Sequence, residues 1–127
     1  MATETINATG LVIAPGFIDM HTHSERKSLQ FPVVENYLQQ GVTTMVGGNC
    51  GSSPLPMSTF MADTEAKGIG PNLALLVGHN TVRRKVMGTE NRLATDAELK
   101  AMQTLIQTAM DDGAFGLSTG LKYIPGA

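Results

Sequence analysis

The sequence predicts an α/β fold built on a parallel sheet, and three observations support this prediction. Apolar strand-like segments alternate with segments of helical spacing along the 127 residues. The strand-like segments are apolar on both faces, which is typical of parallel strands covered by helices. The segments between them are long enough to form helical crossovers, which parallel strands require. Two architectures fit this pattern: a doubly wound sheet and a (β/α)8 barrel.

Four segments are predicted as strands. A Pro15-Gly16 turn introduces the first, and β-branched residues favour a strand in the second. The third is a continuous apolar run, which indicates burial on both faces. In chain order the predicted strands are 15–21, 42–48, 72–79 and 114–121.

Three segments are predicted as helices, over 33–41, 56–68 and 95–113. Gly41 and Gly68 end the first two, as expected of glycine just beyond a helix. The third begins with a capping box, in which the Thr95 hydroxyl and the Glu98 carboxylate satisfy free N–H groups of the first turn. Residues 80–94 form an extra stretch between the third strand and this helix.

The number of elements predicts the first half of a (β/α)8 barrel, with about four strands. An isolated half-barrel leaves two sheet edges without a partner strand. The sequence also stops at "YIPGA", directly after a predicted strand. We therefore expect the chain to be the N-terminal piece of a longer protein.

Composition indicates which kinds of partner and which cellular compartment to expect. A net charge of −2 and a pI of about 5.8 give no electrostatic reason to expect nucleic acid or an anionic membrane as a partner. The cluster Arg83, Arg84 and Lys85 is interpreted as a solvated helix face. No apolar run is long enough for a membrane span, the N-terminus does not resemble a signal peptide, and one cysteine suits a reducing compartment. A cytoplasmic protein is expected.

The segment "FIDMHTHSE" raises the question of a metal site. Asp19, His21 and His23 occupy alternate positions and so share one side of the predicted strand. Two imidazoles at a strand's carboxyl end can bind one cation, and a neighbouring carboxylate can orient a ring as a second-shell partner. The alternative is a pair of histidines that form hydrogen bonds at a wet strand end, and the spacing alone does not decide.

Cys50 favours the metal site. It follows the second predicted strand, in "GGNCGSS", and therefore lies at the same sheet edge as His23. A thiolate beside two imidazoles completes a three-ligand zinc set and leaves a position for water. The alternative is a small buried cysteine in a tight turn.

Two further residues follow predicted strands. His79 closes the third strand and is a candidate for a second-shell or substrate contact, or for a purely structural contact. Tyr123 lies on the loop after the fourth strand, where a phenol can bind a polar substrate group. Exposed tyrosines are also common without such a role.

The quoted motifs resemble a known family. "APGFIDMHTH" is similar to the first-strand signature of the amidohydrolase superfamily of metal-dependent hydrolases. "GVTTMVGGNCG", "LVGHNTVRRKVMG" and "AMDDGAFGLSTGLKYIPGA" together resemble the N-acyl-D-amino-acid deacylase (D-aminoacylase) family. The resemblance implies a (β/α)8 barrel over 15–127, preceded by a remnant of a small β-sandwich over 1–14. It also implies that His21, His23 and Cys50 bind one or two zinc ions, with Tyr123 near the substrate's carboxylate.

The activity that the resemblance implies is hydrolysis of a small N-acyl-D-amino acid to a carboxylate and a D-amino acid. The family's general base and its further histidine ligands come from later strands, so no catalytic residue is identified in this chain and it is expected to be inactive alone. The segment between Cys50 and Asn72 is shorter than in many members. Because it lies at the rim of the barrel, this difference affects the expected substrate preference more than the expected reaction class. Two alternatives stay open: an amidohydrolase acting on cyclic amides, and a non-catalytic metal-binding or interaction module.

Overall fold

The computed structural model describes residues 3–126, and its elements alternate as the sequence predicts. In chain order they are β1 (Phe17–Asp19), α1 (Glu25–Ser28), α2 (Glu35–Leu38), β2 (Val42–Gly47), α3 (Met57–Lys67), β3 (Asn72–Gly78), α4 (His79–Met87), α5 (Asp96–Asp111) and β4 (Gly116–Ser118). All four strands belong to one sheet.

The sheet is parallel and its strands follow the chain order β1-β2-β3-β4. A doubly wound sheet reverses its strand order at a switch point, whereas a barrel adds each strand beside the preceding one. The sequential order therefore selects the barrel, and the described chain has the architecture of its first half. The predicted fold class is confirmed.

The hydrophobic core lies between the sheet and the helices α3, α4 and α5. Leu75 and Val77 of β3 are fully buried there against side chains from all three helices: Met57, Phe60, Val82 and Ala109. The strands at the two ends of the sheet are more open, with Ile18 of β1 59% exposed and Leu117 of β4 48% exposed. The inner strands β2 and β3 thus form the stable part of the fold.

The long helices agree best with the sequence prediction. Helix α3 begins one residue after the predicted start, and α5 has the capping box: Thr95 Oγ1 accepts from the Glu98 amide while the Glu98 carboxylate accepts from the Thr95 amide. The predicted helix 33–41 contracts to the four residues of α2. Strands β1 and β4 are also shorter than predicted, because each has a neighbour on one side only within the described residues.

Helix α4 corrects two predictions. The third strand ends at Gly78, so His79 begins a helix and does not close the strand. Arg83 is only 6% exposed, so the interpretation of the basic cluster as a solvated face was wrong for this residue. Arg84 and Lys85 are exposed, as expected.

Residues 3–16 contain no helix or strand and expose Ile6, Leu11, Val12 and Ile13. The β-sandwich remnant over 1–14 stays a prediction. The predicted ranges also include Met1, Ala2 and Ala127, which lie outside the described residues. Within residues 3–126, no helix has the length and apolarity that are needed to cross a membrane.

Candidate metal centre

The segment after β1 presents its two histidines in the same direction. The Asp19 carboxylate accepts a hydrogen bond from the His21 amide at 3.0 Å, and the Thr22 amide donates to the Val46 carbonyl of β2 at 3.1 Å. Thr22 is buried, whereas His21 and His23 on either side of it are exposed. Their rings meet edge to face, with centroids 5.4 Å apart. The alternation predicted from the sequence therefore continues beyond the strand end.

The turn after β2 has an unusual backbone. Gly48, Cys50 and Gly51 all have positive φ, of 77°, 54° and 75°. Glycine adopts this conformation freely, but for Cys50 it costs roughly 1–2 kcal/mol. A side chain at Gly48 would also collide with the Leu76 carbonyl of β3. Such strain persists only where surrounding contacts impose it.

Two buried polar side chains impose this turn. The Asn49 amide donates to the carbonyls of Val46, at 2.7 Å, and Thr22, at 3.3 Å. The Ser118 hydroxyl, at the end of β4, donates to the Gly48 carbonyl and accepts from the Gly51 amide. Hydrogen bonds to the segment after β1, to β2 and to the end of β4 thus hold this turn in its strained conformation.

The result is a cluster of three metal-binding side chains. The potential ligand atoms of His21, His23 and Cys50 all lie within 4.8 Å of one another, and His21 Nε2 is 3.4 Å from Cys50 Sγ. Tetrahedral zinc, with Zn–N of about 2.05 Å and Zn–S of about 2.3 Å, places its ligand atoms roughly 3.3–3.6 Å apart. Imidazole and thiolate are donors that zinc prefers. We refer to these three residues as the ligand cluster.

The sequence also suggested Asp19 and His79 as partners of the metal ligands, and neither belongs to the ligand cluster. The Asp19 carboxylate accepts from the His21 backbone amide, and among the described residues it has no hydrogen bond to an imidazole ring. His79 is not part of the ligand cluster, and its buried Nδ1 has no hydrogen-bond partner within residues 3–126. Asp19 therefore positions the backbone of a ligand.

Tyr123 lies beside the ligand cluster. It is 57% exposed and lines a cavity of about 280 Å³ together with His23 and Cys50. Helix α4 forms another wall of this cavity through Asn80 and Arg84. The structure thus brings Tyr123 to the same side of the sheet as the ligand cluster.

Helix α4 holds the loop that carries Tyr123. Asn80 Nδ2 donates to the carbonyls of Gly120, at 2.9 Å, and Tyr123, at 3.1 Å. Arg83 Nε donates to the Pro125 carbonyl at 2.7 Å, and Arg84 Nη2 to the Ile124 carbonyl at 2.9 Å. We call Asn80, Arg83 and Arg84, with the carbonyls they bind, the carbonyl clamp.

Sequence reasoning missed the clamp. Arg83 also donates to the carbonyls of Glu90, at 3.1 Å, and Arg92, at 3.0 Å, and so binds two loops at once. Its partners are backbone carbonyls, which carry no signature in the sequence. The apolar residues Val82, Val86 and Met87 around it were the available signal for a helix that packs on the sheet.

An ion pair between Arg92 and Glu98 lies next to the loop that Arg83 binds. Hydrogen bonds from Arg92, at 2.6 and 2.8 Å, and then from Thr95 hold the pKa of the Glu98 carboxyl well below its usual range. The same contact with Glu98 raises the pKa of Arg92. This partly exposed pair joins the 88–95 loop to the start of α5 and does not contact the ligand cluster.

Comparison with known proteins places the chain in a family. The model of the amidohydrolase family matches residues 4–124. The chain therefore belongs to the amidohydrolase family.

Two relatives of this chain are named for the removal of an acyl group from D-amino acids. The chain is 40% identical to an N-acyl-D-aspartate deacylase and 37% identical to a D-aminoacylase, both of Alcaligenes xylosoxydans xylosoxydans, over 94% and 99% of its own length. It covers 29% and 31% of those proteins. The chain thus spans about a third of the length of these relatives.

Solved structures show the same fold. The N-acyl-D-glutamate deacylase of Bordetella bronchiseptica, solved with zinc and a phosphonate inhibitor, matches with a TM-score of 0.83 and 36% identity. A D-aminoacylase studied for its binuclear metal centre matches with a TM-score of 0.82 and 37% identity. Each match covers 88% of this chain and 28% of the other.

Proposed function

We propose that this chain supplies the metal-binding part of a zinc-dependent hydrolase that cleaves the amide bond of N-acyl-D-amino acids. The observation that carries the proposal is the ligand cluster, whose three ligand atoms lie within 4.8 Å of one another at the carboxyl ends of β1 and β2. Active sites of (β/α)8 barrels form at this end of the strands. The named activities and the zinc of the relatives support the choice of metal and substrate.

The ligand cluster is suited to zinc by its geometry and its donors. His21, His23 and Cys50 would bind one or two ions, and the cluster is partly open because both histidines are exposed. Bound zinc would lower the pKa of a water molecule to about 7 and polarise the scissile carbonyl. Asn49 and Ser118 would keep Cys50 in place as the ligand.

The substrate would occupy the cavity next to the cluster. Tyr123 lines it and would contact the substrate's carboxylate through its phenol. Asn80 donates a hydrogen bond to the Tyr123 backbone carbonyl and so restrains the loop that carries this tyrosine. Asp19 would position His21 by accepting a hydrogen bond from its backbone amide, and a supporting role for His79 stays a prediction.

The 127-residue chain alone should bind zinc without hydrolysing substrate. No carboxylate of residues 3–126 belongs to the ligand cluster, and the family's general base is expected from later strands. Hydrolysis of an amide needs a group that transfers a proton to the leaving amine. A cyclic amide as the substrate would use the same metal chemistry.

Zinc retention tests the proposal. After dialysis against metal-free buffer, the wild-type chain should keep at least one zinc ion, measured by inductively coupled plasma mass spectrometry. Cys50→Ser should weaken zinc binding by at least about 100-fold, because loss of even an outer-shell partner costs 10–100-fold.

A neighbouring residue provides the control. Met20→Ala changes an exposed side chain next to His21 that is not part of the ligand cluster, and it should retain zinc as the wild type does. Wild-type zinc retention in Cys50→Ser would contradict the proposed centre and would favour a structural role for this cysteine.

A further inference from the structure

The cavity beside the ligand cluster is lined by a cationic side chain. Arg84 lines it, and no lining residue is acidic. The remaining polar groups around it include the hydroxyls of Ser52, Thr81 and Tyr123. A cation and hydroxyl donors around a space of about 280 Å³ are suited to a small anionic group.

Arg84 uses only some of its hydrogen-bond donors within the described residues. Its Nη2 donates to the Ile124 carbonyl at 2.9 Å, which ties the guanidinium group to the loop after β4. No group within residues 3–126 accepts a hydrogen bond from Nε or Nη1. Arginine carries five N–H donors in a rigid fork that matches a carboxylate. The unused donors are therefore available for a carboxylate in the cavity.

Two groups that can bind anions lie next to each other at this position. Ile124, which anchors Arg84, directly follows Tyr123 in the chain. An N-acylated amino acid has one carboxylate on its α-carbon, for which Tyr123 is the proposed partner. Arg84 lines the same cavity and is then left for a second carboxylate, one or two methylene groups away on the substrate.

We infer that Arg84 binds the side-chain carboxylate of the substrate and that this chain selects acidic N-acyl-D-amino acids over neutral ones. The inference rests on the proposed function, since it places the substrate beside the ligand cluster. It adds a residue that determines specificity, from the basic cluster that the sequence pattern assigned to a solvated helix face.

A pair of isosteric ligands tests the inference. N-acetyl-D-aspartate and N-acetyl-D-asparagine share the α-carboxylate and differ in the charge of the side chain. Isothermal titration calorimetry on the zinc-loaded protein should give a dissociation constant roughly tenfold lower for the aspartate compound, as expected of a charge-assisted hydrogen bond. Arg84→Gln should remove this preference, so that the two compounds bind with dissociation constants within about twofold of each other. Arg84→Lys should retain part of it.

Lys85→Gln is the matched control. It removes the same charge from the neighbouring exposed position of α4, which does not line the cavity, and the preference should persist. Equal loss in Lys85→Gln, or an unchanged preference in Arg84→Gln, would overturn the role of Arg84. Failure of both compounds to bind a protein that retains its zinc would also overturn it. That last result would leave the ligand cluster as the metal site, so the two proposals fail separately.

Discussion

The ligand cluster and the carbonyl clamp both contribute residues to one cavity but are built in different ways. The ligand cluster consists of side chains placed by the local course of two strands and one strained turn. The clamp consists of side chains that bind the backbone of a loop about 40 residues away in sequence. The first places chemical groups directly, whereas the second positions a loop that carries one. A site of this kind therefore depends on residues that never touch a metal or a substrate.

The two regions meet at Gly51, where a substitution should have the largest effect. A side chain there would collide with the Asn80 amide group of the clamp, its Cβ would lie only 2.9 Å from the Gly120 amide, and φ is 75°. Gly51→Ala should lower the free energy of unfolding by about 3 kcal/mol and weaken zinc binding. Chemical denaturation and zinc titration would measure both effects.

Gly68→Ala separates the backbone cost from the collision. Gly68 has a similar φ of 66°, but a side chain there would meet nothing within 4 Å. We expect a loss of only about 1 kcal/mol, with zinc binding unchanged. Equal destabilisation by the two variants would show that the contact between the regions contributes nothing.

Removing the buried Arg83 should weaken the carbonyl clamp and leave the ligand cluster intact. Arg83→Met leaves the carbonyls of Pro125, Glu90 and Arg92 without their donor, which should cost about 2 kcal/mol of stability. Hydrogen exchange of the amides in residues 120–126 should accelerate, while zinc retention stays at the wild-type level.

Lys85→Met on the same helix is the comparison, because Lys85 is exposed; its stability should change by less than about 0.5 kcal/mol. Wild-type exchange rates in the 120–126 loop of Arg83→Met would show that the clamp does not hold the loop.

The smallest effect concerns the outer end of the clamp and depends on pH. The pKa of Glu98 is lowered in the folded state, so on acidification the unfolded chain takes up the proton first. The contribution of Glu98 to stability is therefore present above the ordinary pKa of 4.5 and is lost as the pH falls below it. The difference in melting temperature between wild type and Glu98→Gln should narrow from pH 6 to pH 3.

This contribution should also weaken at high salt, because Arg92 is exposed and Glu98 is partly exposed. The ligand cluster should not share this dependence on Glu98, since the pair does not contact it. A constant melting-temperature difference across the pH range would rule out the ion pair as its source.

Local chemistry explains which parts of the fold were predictable. The apolar run of β3 and the capping box at Thr95 and Glu98 act over a few residues, and both were predicted. The first strand ended earlier than predicted, since Asp19 turns its carboxylate to the His21 amide. Exposed and buried side chains nevertheless alternate beyond the strand, because the Thr22 amide donates a hydrogen bond to the Val46 carbonyl.

By itself, the sequence determined the parallel α/β architecture and the nearness of His21, His23 and Cys50, because strand periodicity and parallel order bring these residues to one sheet edge. Only the tertiary structure decided that Arg83 is buried, that α4 holds the Tyr123 loop and that Arg84 lines the same cavity as the ligand cluster. The physical reason is that these contacts join side chains to distant backbone carbonyls. Every residue has such a carbonyl, so no pattern of residue types reveals which ones will be bound.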